Sequence, residues 1–145
     1  MSPVIYQREV HYYETDRMDC VHHSNYIRWF EEARIYFMQE SGFPYQDLEA
    51  GGIVSPVRSV QAEYQAMCRF GDTVEILTAI ESYTSTRIAF CYQVRDKATG
   101  QPRCSGRSCH CFINAGGRPV SLKKAMPQYH LRIEEYLAKV QKEEN

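Results

Sequence analysis

Residues 25–39 read Asn-Tyr-Ile-Arg-Trp-Phe-Glu-Glu-Ala-Arg-Ile-Tyr-Phe-Met-Gln. Tyr26, Phe30, Ala33 and Phe37 fall at i, i+4, i+7 and i+11, which places them on one face of a 3.6-residue period. Trp29 and Tyr36 widen that stripe. Ser24 or Asn25 can cap the start, and Gly42 followed by Pro44 supplies a stop. Upstream, Val4 to Tyr13 is β-prone and Glu14 to Ser24 is polar and irregular. Downstream of Gly51-Gly52 the period changes to two. Val60, Ala62, Tyr64 and Ala66 alternate with polar residues, Val74, Ile76 and Ile80 follow, and then Ile88, Phe90, Tyr92 and Val94. A further strand runs from Arg103 to Ile113. Turn residues at Gly71-Asp72, Asp96 to Gln101 and Asn114 to Gly117 separate these runs. Pro127 opens a short terminal helix with Ile133, Tyr136, Leu137 and Val140 at helical spacing. One long helix followed by a meander of strands predicts an α+β fold, with an antiparallel sheet wrapping its apolar face around that helix.

The chain has 145 residues, a length that predicts one domain over residues 1–145. With 43% hydrophobic residues and a net charge of -1, it can build a core and is not a disordered chain. Seventeen basic residues against 18 acidic ones give no basic field, so nucleic acid is not an expected partner. No apolar run approaches the ~18 residues a membrane span needs, and the N-terminal residues lack the pattern of a secretory signal. Six cysteines without a CxxC pair are expected to be reduced thiols in a cytoplasmic protein. Cys109 and Cys111 flank His110 and should share one strand face.

The densest set of reactive side chains is Tyr12 to Tyr26, YYETDRMDCVHHSNY, immediately before and into the long helix. A helix start presents unpaired N–H groups and a positive dipole end that can hold a developing oxyanion. A neighbouring carboxylate can act as base or nucleophile. Three readings compete: a metal site from Asp19, Cys20, His22 and His23; residues that only cap the helix and pair locally; and an acyl-transfer site. The metal reading needs one loop to fold nearly contiguous ligands onto one ion, which rarely happens.

The stretches Tyr12-Tyr13-Glu14-Thr15-Asp16, Val21-His22-His23-Ser24-Asn25-Tyr26 and Trp29-Phe30-Glu31-Glu32-Ala33-Arg34 resemble the signature of hotdog-fold thioesterases. The branch most similar is that of the 4-hydroxybenzoyl-CoA thioesterase-like acyl-CoA thioester hydrolases. The resemblance continues through Val60 to Tyr64, Arg69-Phe70-Gly71-Asp72, Arg87 to Phe90 and Gly116 to Pro119, so it covers about Val4 to Pro127.

The resemblance implies a hotdog fold and hydrolysis of an acyl-CoA to a carboxylic acid and coenzyme A, with no metal and no cofactor. It further implies a homodimer or homotetramer with active sites at subunit interfaces. Asp16 falls on the family's catalytic carboxylate, acting on water or attacking directly. His23 falls where the backbone N–H holds the thioester oxygen, and Tyr12 on a tyrosine of the histidine-containing branch. Arg87 falls in the run that contacts coenzyme A phosphates, reduced here to one arginine. Asp19 stands where the family carries glycine, which implies a positive φ that aspartate tolerates better than most residues. Glu31, Glu32 and Arg34 have spacing suited to surface or subunit-interface pairing, with no chemical role. A non-catalytic acyl-CoA binding protein and an acyl-carrier-protein thioesterase are the rival readings.

Overall fold

A computed structural model of the protein describes residues 4–144. Five strands form one antiparallel sheet: β1 (Val4–Glu9), β3 (Val57–Tyr64), β4 (Thr73–Thr84), β5 (Arg87–Asp96) and β6 (Pro102–Cys111). Their spatial order is β1-β4-β5-β6-β3, and β2 (Ile53–Val54) pairs with β7 (Ile113–Asn114) in a small separate ladder. The long helix α1 (His23–Glu40) packs against β4, β1 and β3. Tyr26, Trp29, Phe30, Ala33 and Phe37 are all buried there, as their period predicts. From the sheet, Val74, Ile76, Ile88, Phe90, Tyr92 and Val94 close the same core.

Phe30 lies on the sheet itself. Its ring stacks on Tyr92 at 4.5 Å, nearly parallel. It can approach so closely because Gly106, opposite Tyr92 in the ladder, has no Cβ. A Cβ there would meet the Phe30 ring and come within 2.6 Å of the Gln61 carbonyl.

Four elements differ from the sequence reading. The first strand ends at Glu9, and Tyr12–Glu14 forms a 3₁₀ turn, because the Glu14 carboxylate reaches back to the His11 N–H at 2.8 Å. A short helix α2 (Tyr45–Ala50) follows Pro44, too brief to show a period. β3 is the sheet's edge, so its apolar side chains are not core: Val57, Val60 and Tyr64 are 51%, 37% and 48% exposed. After a single turn α3 (Leu122–Ala125), the terminal helix α4 (Pro127–Glu144) runs for 18 residues and is not short. It buries Tyr129 and Ile133, and the Tyr129 hydroxyl donates to the Phe43 carbonyl at 2.8 Å, just past the end of α1.

Candidate active site

The loop before α1 is a small hairpin. Thr15 bridges Val21 in antiparallel fashion, the Asp16 N–H donates to the Cys20 carbonyl at 2.9 Å, and the His22 N–H donates to the Glu14 carbonyl at 2.9 Å. Asp19, at its turn, has φ 61° and is the one non-glycine residue with positive φ among the described residues. That is the conformation implied by its standing in a glycine position.

Asp16 is half-buried and fixed through one oxygen. Its Oδ1 accepts from the Met18 N–H at 2.8 Å and from the Cys20 thiol at 3.7 Å. Burial, and then the Asp16 charge, push the Cys20 thiol up, so it stays a protonated donor. Oδ2 has no hydrogen bond among the described residues. Asp16 is thus oriented with one carboxylate oxygen uncommitted.

His23 is the first residue of α1, and its exposed ring lies 4.2 Å from that of His22. The cap is neither Ser24 nor Asn25. His22 is the N-cap: its Nδ1 accepts from the Ser24 N–H at 3.2 Å. Ser24 is already helical, and Asn25 turns inward to donate to the Glu14 carbonyl at 2.9 Å. The His23 N–H has no carbonyl four residues behind it in the helix and points out of the helix start, as first-turn amides do. Its carbonyl accepts from the Tyr64 hydroxyl at 3.1 Å, tying the helix start to the β3 edge. Asp16 ends the first hairpin arm, across from Cys20, and His23 continues the second arm into α1.

Tyr12 is 75% exposed and meets Phe70 edge-on at 5.6 Å. Tyr13, Met18 and Met67 are exposed as well. Arg87 is elsewhere. It opens β5, whereas the Asp16 loop adjoins the strand's other end through Cys68, Arg103 and Asp96. Nine residue steps of β5 separate the two ends, roughly 30 Å at the usual strand rise. One chain therefore does not bring Arg87 to Asp16.

The residue that the sequence reading passed over is Glu14. It is only 3% exposed, with Arg8 Nη1 at 2.5 Å and the Trp29 indole N–H donating at 2.8 Å. Burial alone would raise its carboxyl. Donation from Arg8, the His11 N–H and Trp29 outweighs burial and holds it below the usual carboxylate range. Arg8 in turn reaches Glu32 at 2.9 Å, so Glu32 pairs within its own chain. This network locks the loop to α1. A buried tryptophan with a polar handle, seven residues into the helix stretch, is a faint signal that some upstream acceptor must meet it.

A long helix cradled by an antiparallel sheet, with an oriented carboxylate at the helix start, defines a protein of the hotdog thioesterase class. The sequence profile of the thioesterase-like superfamily matches residues 10–138, and the chain belongs to that superfamily. YneP of Bacillus subtilis (strain 168), provisionally named an acyl-CoA thioesterase, is 33% identical over 127 residues, which span 87% of this chain and 91% of that one. The acyl-CoA thioester hydrolase YbgC of Escherichia coli O157:H7 is 33% identical over 85 residues, 59% of this chain and 63% of that one. Among solved structures, a DHNA-CoA thioesterase from Staphylococcus aureus superposes with a TM-score of 0.89 at 29% identity, over 95% of this chain and 93% of that one. These relatives agree with the hotdog fold and the thioester hydrolysis expected from the sequence.

Proposed function

We propose that this acyl-CoA thioester hydrolase acts through Asp16 as general base, with the whole chain working as one hotdog domain. Asp16 Oδ2 takes a proton from water, which attacks the thioester carbonyl. The His23 N–H at the start of α1 receives the developing oxyanion, and coenzyme A leaves as the thiol. The observation that carries this reading is the Asp16 carboxylate itself, held through Oδ1 with Oδ2 uncommitted. Two rungs of the hairpin lie between Asp16 and His22, roughly 7 Å of strand, enough for one water and a carbonyl between Oδ2 and the helix start. Neither a metal nor a cofactor takes part. Tyr12 borders the site and faces substrate or a second copy.

The site is completed in a homodimer, or in a homotetramer built from such dimers. β3 is an open edge carrying exposed Val57, Val60 and Tyr64, which is the kind of edge that pairs or aggregates. Antiparallel pairing of β3 with its own copy reverses the second sheet. The partner's Arg87 then lies at the Asp16 end, three strand spacings from β3, or roughly 14 Å. An extended coenzyme A spans that gap, and Arg87 meets its phosphates. The protein works on acyl-CoA in the cytoplasm. No helix among the described residues is long and apolar enough to cross a membrane.

Release of free coenzyme A from a panel of acyl-CoA and acyl-carrier-protein thioesters, with and without chelator, tests the reading. Turnover of CoA thioesters untouched by chelator is expected. Turnover confined to carrier-protein thioesters, or tight binding with no release, would instead support one of the two rival readings.

A further inference from the structure

Three of the four backbone polar groups of His22 and His23 have partners outside the regular helix ladder. The His22 N–H donates to the Glu14 carbonyl at 2.9 Å, and the His22 carbonyl accepts from the Asn25 N–H at 3.0 Å. The His23 carbonyl accepts from the Tyr64 hydroxyl at 3.1 Å. The fourth, the His23 N–H, donates to no acceptor among the described residues. The chain around that N–H is thus held on every side while the N–H itself stays free.

The first two of these ties are local, made by the hairpin and by the helix start. The third crosses to the sheet. Tyr64 is the one sheet side chain that hydrogen-bonds to the α1 backbone among the described residues. It is the last residue of β3, opposite Cys104 of β6. Its ring stands edge-on to Tyr26 at 5.2 Å, and Tyr26 is buried in the core, so the ring is braced from below. Burial, and then the neighbouring Cys104, raise the Tyr64 phenol, which stays protonated and donates.

The bond has little to give the fold. Tyr64 is 48% exposed, and water can replace either partner at small cost. Its place gives it a different use. The first turn of a helix frays, whereas a donor to a developing oxyanion helps only if it is already aimed before the reaction begins. The end of a hydrogen-bonded strand supplies the rigidity that a first turn lacks.

We propose that Tyr64 is a positioning residue for thioester hydrolysis: its hydroxyl pins the His23 backbone to the end of β3 and keeps the His23 N–H aimed at the oxyanion; this rests on the hydrolase reading above. Tyr64 acts through His23 and does not touch substrate.

The test is Tyr64→Phe, which keeps the ring and its contact with Tyr26 and removes the hydroxyl. Release of coenzyme A from an acyl-CoA gives kcat. Two ligands separate aim from binding: a non-hydrolysable acyl-CoA thioether, which has no carbonyl for the N–H to meet, and a CoA trifluoromethyl ketone, whose hydrate carries an oxygen where the oxyanion forms. kcat should fall by about five- to tenfold, the scale of one hydrogen bond. The ketone Ki should rise in step with that loss, and the thioether Kd should stay within about twofold. Tyr64→Met serves if the phenylalanine variant does not fold, and should show the same division. A folded Tyr64→Phe protein with wild-type kcat would overturn the assignment and leave the hydrolase reading standing. So would an equal loss of thioether binding, which would put the hydroxyl on the substrate, or a lower oligomeric mass in sedimentation, which would give Tyr64 an interface role instead. A wild type that releases no coenzyme A from any thioester would contradict the hydrolase reading, and this proposal with it.

Discussion

Glu14 and Asp16 are two residues apart, yet their surroundings give them opposite uses. Both carboxylate oxygens of Glu14 are engaged, Oε1 by Arg8 and the His11 N–H and Oε2 by Trp29, so it builds the loop. Asp16 keeps one oxygen back. Glu14→Gln leaves Arg8 and the indole with a weaker acceptor in a buried place, and should lower stability by about 2–4 kcal/mol, read as a shift in urea unfolding. Because the folded-state carboxyl is held low, the stability Glu14 supplies is present above the unfolded carboxylate pKa and is lost as pH falls through the folded value. Asp19 makes the converse case. Its left-handed backbone costs a non-glycine residue about 1 kcal/mol or more, and the hairpin bears that cost. Asp19→Gly should therefore leave stability unchanged or raise it by up to about 1 kcal/mol, with kcat within about twofold. A large loss of kcat in that variant would give the Asp19 charge a place in the chemistry.

At the level of elements, the sequence made the helix legible and its start much less so. Tyr26, Phe30, Ala33 and Phe37 repeat at a period that only a buried helix face explains, and all four are buried. The cap is a histidine, outside the usual capping set, and Asn25, a good cap by type, is drawn inward by Glu14. β3 shows a second limit. Alternation identifies a strand, but an edge strand and a central strand alternate alike, and only strand order separates them. The positive φ of Asp19 was legible through its standing in a glycine position. The Tyr92–Ser108–His110 chain was not, because its members come from two strands whose register no local pattern reveals. That chain carries its own prediction. Burial, and then the charge of Arg34, lower His110 from 6.5 to about 4. Between those values the unfolded chain binds more protons than the folded one, so stability falls as pH drops through the window, by at most about 3 kcal/mol. Denaturant unfolding at a series of pH values should show this slope in the wild type and lose it in His110→Gln. An equal slope in both proteins would contradict it.

At the scale of the whole molecule, the proposed site depends on a second copy. Arg87 and the Asp16 loop occupy opposite ends of β5, so a phosphate contact and the reacting carbonyl belong to one ligand only if two chains face each other in reverse. Sedimentation should show a dimer or tetramer at micromolar concentration. Arg87→Ala should raise KM for CoA thioesters more than it lowers kcat, because a remote phosphate contact is uniform binding. Shortened thioesters that lack the nucleotide should not register the change, and equal losses on both would remove Arg87 from the binding site. The measurement closest to the central claim is steady-state release of coenzyme A by the wild type and by Asp16→Asn, with folding checked by circular dichroism and thioether binding checked separately. The substitution keeps the side chain's size and removes its capacity to take a proton. Fold and thioether binding should survive, and kcat should fall by at least about 100-fold, the scale of a positioned general base. A well-folded Asp16→Asn protein retaining more than about a tenth of wild-type kcat, outside that range, would contradict the account.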